Sequence, residues 1–161
     1  AAALTDSGEQ TIWQDTSWTG QMLVDGVLTV APDVTLAIRP GTLVRFTFRD
    51  TNGDGIVENE MFIQGSLKAN GTDSEPIRFT AAGDPRPGSW GAINMMSEEE
   101  NLLAHSIVEF GYRGFHAHFA NAAIRDSVFR HNLRGLQFQE STISLENSCI
   151  VDNRNGMQFR D

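Results

Sequence analysis

Cysteine is almost missing from this chain: Cys149 is the only one in 161 residues. A single thiol excludes an internal disulfide framework and any Cys-based zinc site, and no C-x-x-C-H string offers covalent haem attachment. Long apolar runs are missing too. Nothing approaches the roughly eighteen residues that span a bilayer, so membrane insertion is not expected. Basic residues are sparse, with 12 Lys and Arg against 21 Asp and Glu and a net charge of −9. Nucleic acid is held by a basic footprint that neutralises phosphates, so neither it nor an anionic membrane is an expected partner. Also lacking is any capped stretch with a 3.6-residue apolar face, which predicts little or no helix beyond a cap turn near either end.

What is present fits one soluble domain. The chain has a mass of 17.7 kDa and is 40% hydrophobic, long enough to bury a core unaided. Charge is lopsided: residues 1–101 hold 15 acids against 6 bases, while 102–161 hold 6 against 6 and all four His. The opening Ala1-Ala2-Ala3 suits the mature side of a small-residue signal cleavage site, as it would suit an excised fragment; the expectation is a secreted or cell-surface protein.

The last third repeats every 21 residues. Gly114, Gly135 and Gly156 share this spacing, as do Ser106, Ser127 and Ser148, then Leu103, Ile124 and Leu145, then Val108, Phe129 and Ile150. After each Gly comes an apolar-polar-apolar triplet, such as Leu136-Gln137-Phe138, and alternation with period two means strand. A unit of short strands between Gly and Asn turns cannot close a core alone, but stacked units can. Asn132 and Asn153, with Gly111 in their column, read as a turn ladder that satisfies backbone groups and tolerates a left-handed corner. Strand-like runs at 21–31, 34–38, 43–49, 61–67, 76–80 and 90–96 extend the pattern forward. The predicted fold is all-β, a parallel β-solenoid of six to seven coils over 21–161, roughly 30 Å tall. Residues 1–20 are read as its N-terminal segment and cap, and 50–60 as an insertion.

The string Leu23 to Phe46, then Ile63-Gln-Gly-Ser-Leu-Lys-Ala-Asn-Gly-Thr72, Pro76-Ile-Arg-Phe-Thr80 and Trp90-Gly-Ala-Ile93, resembles the opening coils of bacterial and archaeal right-handed parallel β-helix repeat proteins of the pectate-lyase-like superfamily. The resemblance implies a right-handed helix. It does not fix an activity, because that superfamily holds lyases, hydrolases, adhesins and modules without a reaction.

The sharpest local motif is Asp50-Thr-Asn52-Gly-Asp54-Gly-Ile56-Val-Glu58, the first half of a calcium loop. Ca²⁺ needs several oxygens converging from alternate positions, which Asp50, Asn52, Asp54, the Ile56 carbonyl and Glu58 can supply. Met61 stands where the usual closing carboxylate belongs, and no flanking helix is expected. The other reading is an Asx-rich turn.

No catalytic set is recognised. If the Ser106 and Val108 columns face inward, Ile107, Val128 and Cys149 form one outward column and Glu109, Arg130 and Val151 the next; neither is an acid–base cluster. Of the polygalacturonase strings, Asp-Asp and Gly-His-Gly are absent and Asn-x-Asp occurs only as Asn52-Gly-Asp54 inside the calcium-type motif; Lys68 is the last lysine. Two stacked pairs could hydrogen-bond: His105 beside Asp126 and Asn147, and His131 beside Asp152. His116 and His118 share a strand face but have no third ligand for a metal. Cys149 reads as packing, and so do Trp13, Trp18 and Trp90, although exposed Trp could stack on sugars. Ile107, Val128, Cys149, His131 and Asp152 are the candidate partner or ligand surface.

The expected function is a non-catalytic structural or binding module. Its partners would be further coils of a larger chain, another copy at the open solenoid end, or polysaccharide. The alternatives are a polysaccharide-active lyase or hydrolase with an atypical site and a carbohydrate-binding module.

Overall fold

The computed structural model describes residues 4–6 and 8–160, so the Ala1-Ala2-Ala3 start and the terminal Asp161 lie outside the described residues. Among the described residues there are twenty strands and no helix. The chain winds as a right-handed parallel β-helix of between six and seven coils. Leu4–Asp6, Gln10–Ile12 and Thr16–Trp18 are β1 to β3; Gln21–Val24, Val27–Val30 and Thr35–Ile38 are β4 to β6. Leu43–Phe46, Glu60–Ile63 and Ser66–Asn70 (β7 to β9) make the third turn, and Ile77–Ala81, Trp90–Met95 and Leu102–Ala104 (β10 to β12) the fourth. Ser106–Glu109, Gly111–His118 and Asn121–Arg125 (β13 to β15) precede Val128–Arg130, Arg134–Gln139 and Thr142–Glu146 (β16 to β18), and Cys149–Val151 and Asn155–Arg160 (β19, β20) end the stack. Every third strand joins the same sheet: sheet A runs from β1 to β19, sheet B from β2 to β20, and sheet C from β3 to β18.

Residues 4–18 of the segment expected to cap the stack supply one strand to each sheet, paired parallel with β4, β5 and β6. The 21-residue step holds where Ile107, Val128 and Cys149 stack, but Leu43 pairs with Arg78 and Val27 with Glu60. The difference is absorbed by loops 47–59 and 82–89, both at the corner between sheets A and B, and by 71–76 and 96–101 at the other two corners.

Alternation decides what is buried. In sheet A the inward column is Met22, Val44, Phe79, Val108, Phe129 and Ile150, of which Val44 to Phe129 are fully enclosed. Their neighbours Ile107 and Val128 are half-buried on the outer face, and Cys149 is exposed. Trp90 is buried and stacks on Phe46 with centroids 4.0 Å apart, and its Nε1–H donates to the Glu109 carbonyl at 2.8 Å. Trp18 is buried as expected. Trp13 is 75% exposed, because it lies in the turn between β2 and β3 and outside the inward columns.

The polar columns clip coil to coil. The Asn132 Oδ1 accepts from the Gly111 N–H at 2.8 Å and its Nδ2 donates to the Val108 carbonyl at 3.1 Å; Asn153 repeats both contacts one coil on. Gly114 and Gly135 are required by close approach: a Cβ there would lie 2.8 and 2.6 Å from the carbonyl oxygen of the next coil. The left-handed corner residue is not the Asn but the residue before it. Phe110, His131 and Asp152 have φ of 67°, 57° and 55°, and His105, Asp126 and Asn147 have φ of 47°, 52° and 46°. Asn, Asp and His tolerate this region best among side-chain-bearing residues.

Core packing gives a direct test. Phe129→Ala, a deletion inside the sealed column, is expected to cost about 3–5 kcal/mol in urea unfolding, whereas Val128→Ala on the outer face costs about 1 kcal/mol or less. Equal losses would mean that Phe129 is not enclosed by the column around it.

Candidate functional site

The residues of the proposed calcium motif gather in one exposed loop. The two carboxylate oxygens of Asp50 accept from the N–H groups of Gly53 at 2.8 Å and Gly55 at 3.0 Å. Asn52 Oδ1 accepts from the Asp54 N–H at 3.1 Å, and Asp54 Oδ1 from the Ile56 N–H at 2.8 Å. Glu58 Oε2 closes the loop by accepting from the backbone and hydroxyl of Thr51. These are nested Asx turns, with Gly53 and Gly55 at φ of 72° and 81°. Among the described residues no three His, Cys, Asp or Glu side chains gather as a metal-holding group. Each carboxylate keeps lone pairs that the turns do not use.

The stacked pairs turn out to be corners. His105 Nε2 lies 3.5 Å from Asp126 Oδ2, and Asn147 Nδ2 donates to Asp126 Oδ1 at 2.5 Å. His131 and Asp152 meet only through the backbone, where the His131 N–H donates to the Asp152 carbonyl at 3.0 Å; the His131 ring stacks on Phe110 instead. The backbone conformation at these positions explains the choice of His, Asp and Asn without chemistry. Ile107, Val128 and Cys149 form the expected outer column of sheet A, away from His131 and Asp152 at the A–B corner.

Sheet A carries a feature that its alternation conceals. Glu109 stands in an outward column, yet its side chain is 1% exposed. Arg78 Nε donates to Oε1 at 2.6 Å, Thr80 Oγ1 to the same atom at 3.0 Å, and Arg130 Nε to Oε2 at 2.8 Å. Burial alone would raise this carboxyl, but the bonds from Arg130, Arg78 and Thr80 hold it below its ordinary value.

Sheet B presents the most developed polar face. Asn94, His116, Gln137 and Gln158 stack in one outward column, with Arg113, Arg134 and Asn155 in a second and His118, Gln139 and Arg160 in a third. Asn94 Nδ2 donates to Glu60 Oε2 at 3.1 Å and to the Met61 carbonyl at 3.0 Å, leaving its Oδ1 to accept from His116 Nδ1 at 3.0 Å. That assignment fixes the His116 tautomer, with the lone pair on Nε2. Burial, then the charges of Arg113, His118 and Arg134, lower His116 to about 4, so it is neutral at pH 7. Burial pushes Glu60 up, against the Asn94 bond and the Arg113 charge, which lower it. The guanidiniums of Arg113 and Arg134 each lie 5.5 Å from the Tyr112 ring centroid. The aromatic Phe119, 52% exposed, lies against His118 with centroids 4.5 Å apart.

Position and burial together make this face the candidate surface of a right-handed parallel β-helix protein. Comparison of the chain with protein-family models, curated proteins and solved structures found no match. Sequence reasoning had singled out His116 and His118 here but missed Glu60, Asn94, Tyr112, Arg113 and Arg134. The 21-residue register of Arg113 with Arg134 was the available signal.

Acid should weaken this fold through two groups of like sign. Unfolded His116 protonates near 6.5 and the folded group near 4. Its contribution is therefore complete above the unfolded value and falls as pH drops between the two. Glu109 contributes above the ordinary carboxylate range and loses that contribution as pH falls through its lowered folded value; Glu60, raised, acts oppositely. Relative to the parent, His116→Gln is expected to flatten the upper part of the pH–stability curve and Glu109→Gln the lower part. Parallel curves for all three proteins, measured by urea midpoints, would refute the assignment.

Proposed function

We propose that the chain is a non-catalytic binding module of a secreted or cell-surface protein, and that the outer face of sheet B binds polysaccharide. The observation behind this reading is the three-column array over β14, β17 and β20. Hydrogen-bonding side chains recur at each coil step of about 4.8 Å, flanked by the rings of Tyr112 and Phe119. A repeating ligand can meet repeating amide, imidazole and guanidinium groups without any of them moving, and sugar rings can stack on the aromatics. The resemblance of the opening strings to pectate-lyase-like β-helix proteins supports the same class of ligand.

Two further parts belong to the proposal. Calcium held by Asp50, Asn52, Asp54, the Ile56 carbonyl and Glu58 would stiffen the loop beside this face. The strand edges of β18, β19 and β20, where Phe159 is exposed and Ile143, Leu145 and Ile150 are half-buried, would pair with further coils of a larger chain or with a second copy.

Calcium is tested by melting. Added Ca²⁺ is expected to raise Tm and chelator to reverse it, with the response gone in Asp54→Ala; an unresponsive parent leaves only the Asx turn. Polysaccharide binding is tested by affinity electrophoresis on neutral and acidic polymers. Tyr112→Ala and Arg134→Ala should each weaken retardation about tenfold, with no new reducing ends released. Retardation by no polymer would leave a structural spacer, and release of product would make the chain an enzyme.

A further inference from the structure

A cleft of about 200 Å³ opens between the calcium-type loop and the upper edge of sheet B, lined by Ile56, Val57, Glu60, Ala92, Tyr112 and Arg113 among others. Two opposite charges line it without meeting. Among the described residues no ion pair joins Glu60 to Arg113, although Arg113 is near enough to act on the Glu60 carboxyl. Glu60 uses Oε2 to accept from Asn94, and among the described residues no donor reaches its Oε1. Arg113 Nε is buried with no acceptor, a cost that native structures normally avoid. Gly91 makes room for the Glu60 side chain at this position: a Cβ there would lie 2.8 Å from Glu60 Cβ and 2.9 Å from Glu60 Oε2.

We propose that this cleft binds a small zwitterion, a free α-amino acid with an apolar side chain. The ligand ammonium sits on Glu60, its carboxylate on the Arg113 guanidinium, and its side chain against Ile56, Val57 and Ala92. The signs select the class. A simple anion would satisfy Arg113 but lie against Glu60, and a simple cation would do the reverse. An α-amino acid carries both charges on one carbon and meets both groups at once, and the guanidinium fork matches its carboxylate. The inference does not rest on the polysaccharide reading: a protein that retards no polymer would still bind the amino acid.

Titration calorimetry of the whole chain with L-alanine and L-valine tests it, with propionate and ethylamine as single-charge controls. Saturable binding of the amino acids is expected, with each control at least about tenfold weaker. Glu60→Gln and Arg113→Gln, checked for an unchanged melt, should each weaken L-valine at least about tenfold. Ile56→Asp, at an exposed loop position that the fold does not depend on, should weaken it as well. No saturable heat up to about 10 mM amino acid would overturn the proposal, as would a control that binds as well as L-alanine. Folded Glu60→Gln and Arg113→Gln proteins that both bind like the parent, or unchanged L-valine binding by Ile56→Asp, would place the ligand elsewhere and overturn it too.

Discussion

Everything in this molecule depends on parallel hydrogen bonding between successive coils. A single coil holds three strands of three to eight residues, far too little to close a core, and no strand pairs with its sequence neighbour. Strand backbone groups bond mainly to the coil before or after, so the apolar columns are buried only because the stack exists. Stability is then nearly one-dimensional. Core columns, Asn clips and the Glu109 cluster all act at the interface between one coil and the next, and a defect in one coil is felt mainly by its two neighbours.

This dependence explains which parts of the fold could be read from the sequence. From Ser106 onward the coils have equal length, so residues that touch in space recur at a fixed step. The column of Val108, Phe129 and Ile150 could be recognised from spacing and its inward face expected from its apolar side chains, and Asn132 and Asn153 recognised as a ladder. The left-handed corners were placed one residue late. A sharp turn suggests Gly or Asn, but His131 and Asp152 take the positive φ while Asn132 and Asn153 serve as hydrogen-bonding clips. Side-chain type alone does not separate these two uses of Asn.

The site residues were hidden for a different reason. Glu60 meets Asn94 across a coil lengthened by the loops 71–76 and 82–89, so no regular step connects them. Glu109 was hidden by the pattern itself. Alternation assigns it outward correctly, but whether an outward carboxylate meets water depends on its lateral neighbours, and Arg78 and Arg130 cover it from adjacent coils. Period-two reasoning resolves inside from outside and carries no information about which outward side chains close over one another.

The three outer faces consequently differ in what they leave available. On sheet A, Arg78, Thr80, Glu109 and Arg130 satisfy one another, and an external ligand would have to break charge-assisted bonds before making its own. Sheet C offers a trough where Ala37, Lys68, Leu102, Ala123 and Ser144 stack, its polar groups set in a mostly apolar surface. Among the described residues, sheet B combines fixed polar side chains with donors and acceptors that no protein group uses: the His116 Nε2 lone pair, the Arg113 Nε–H and the second Glu60 oxygen. Loop 47–59 enters at the corner beside that sheet and brings Ile56 and Val57 over one edge of it. Recognition needs groups that are held in place yet uncommitted, and in a rigid stack the first condition is met on every face. The second condition is what sets sheet B apart.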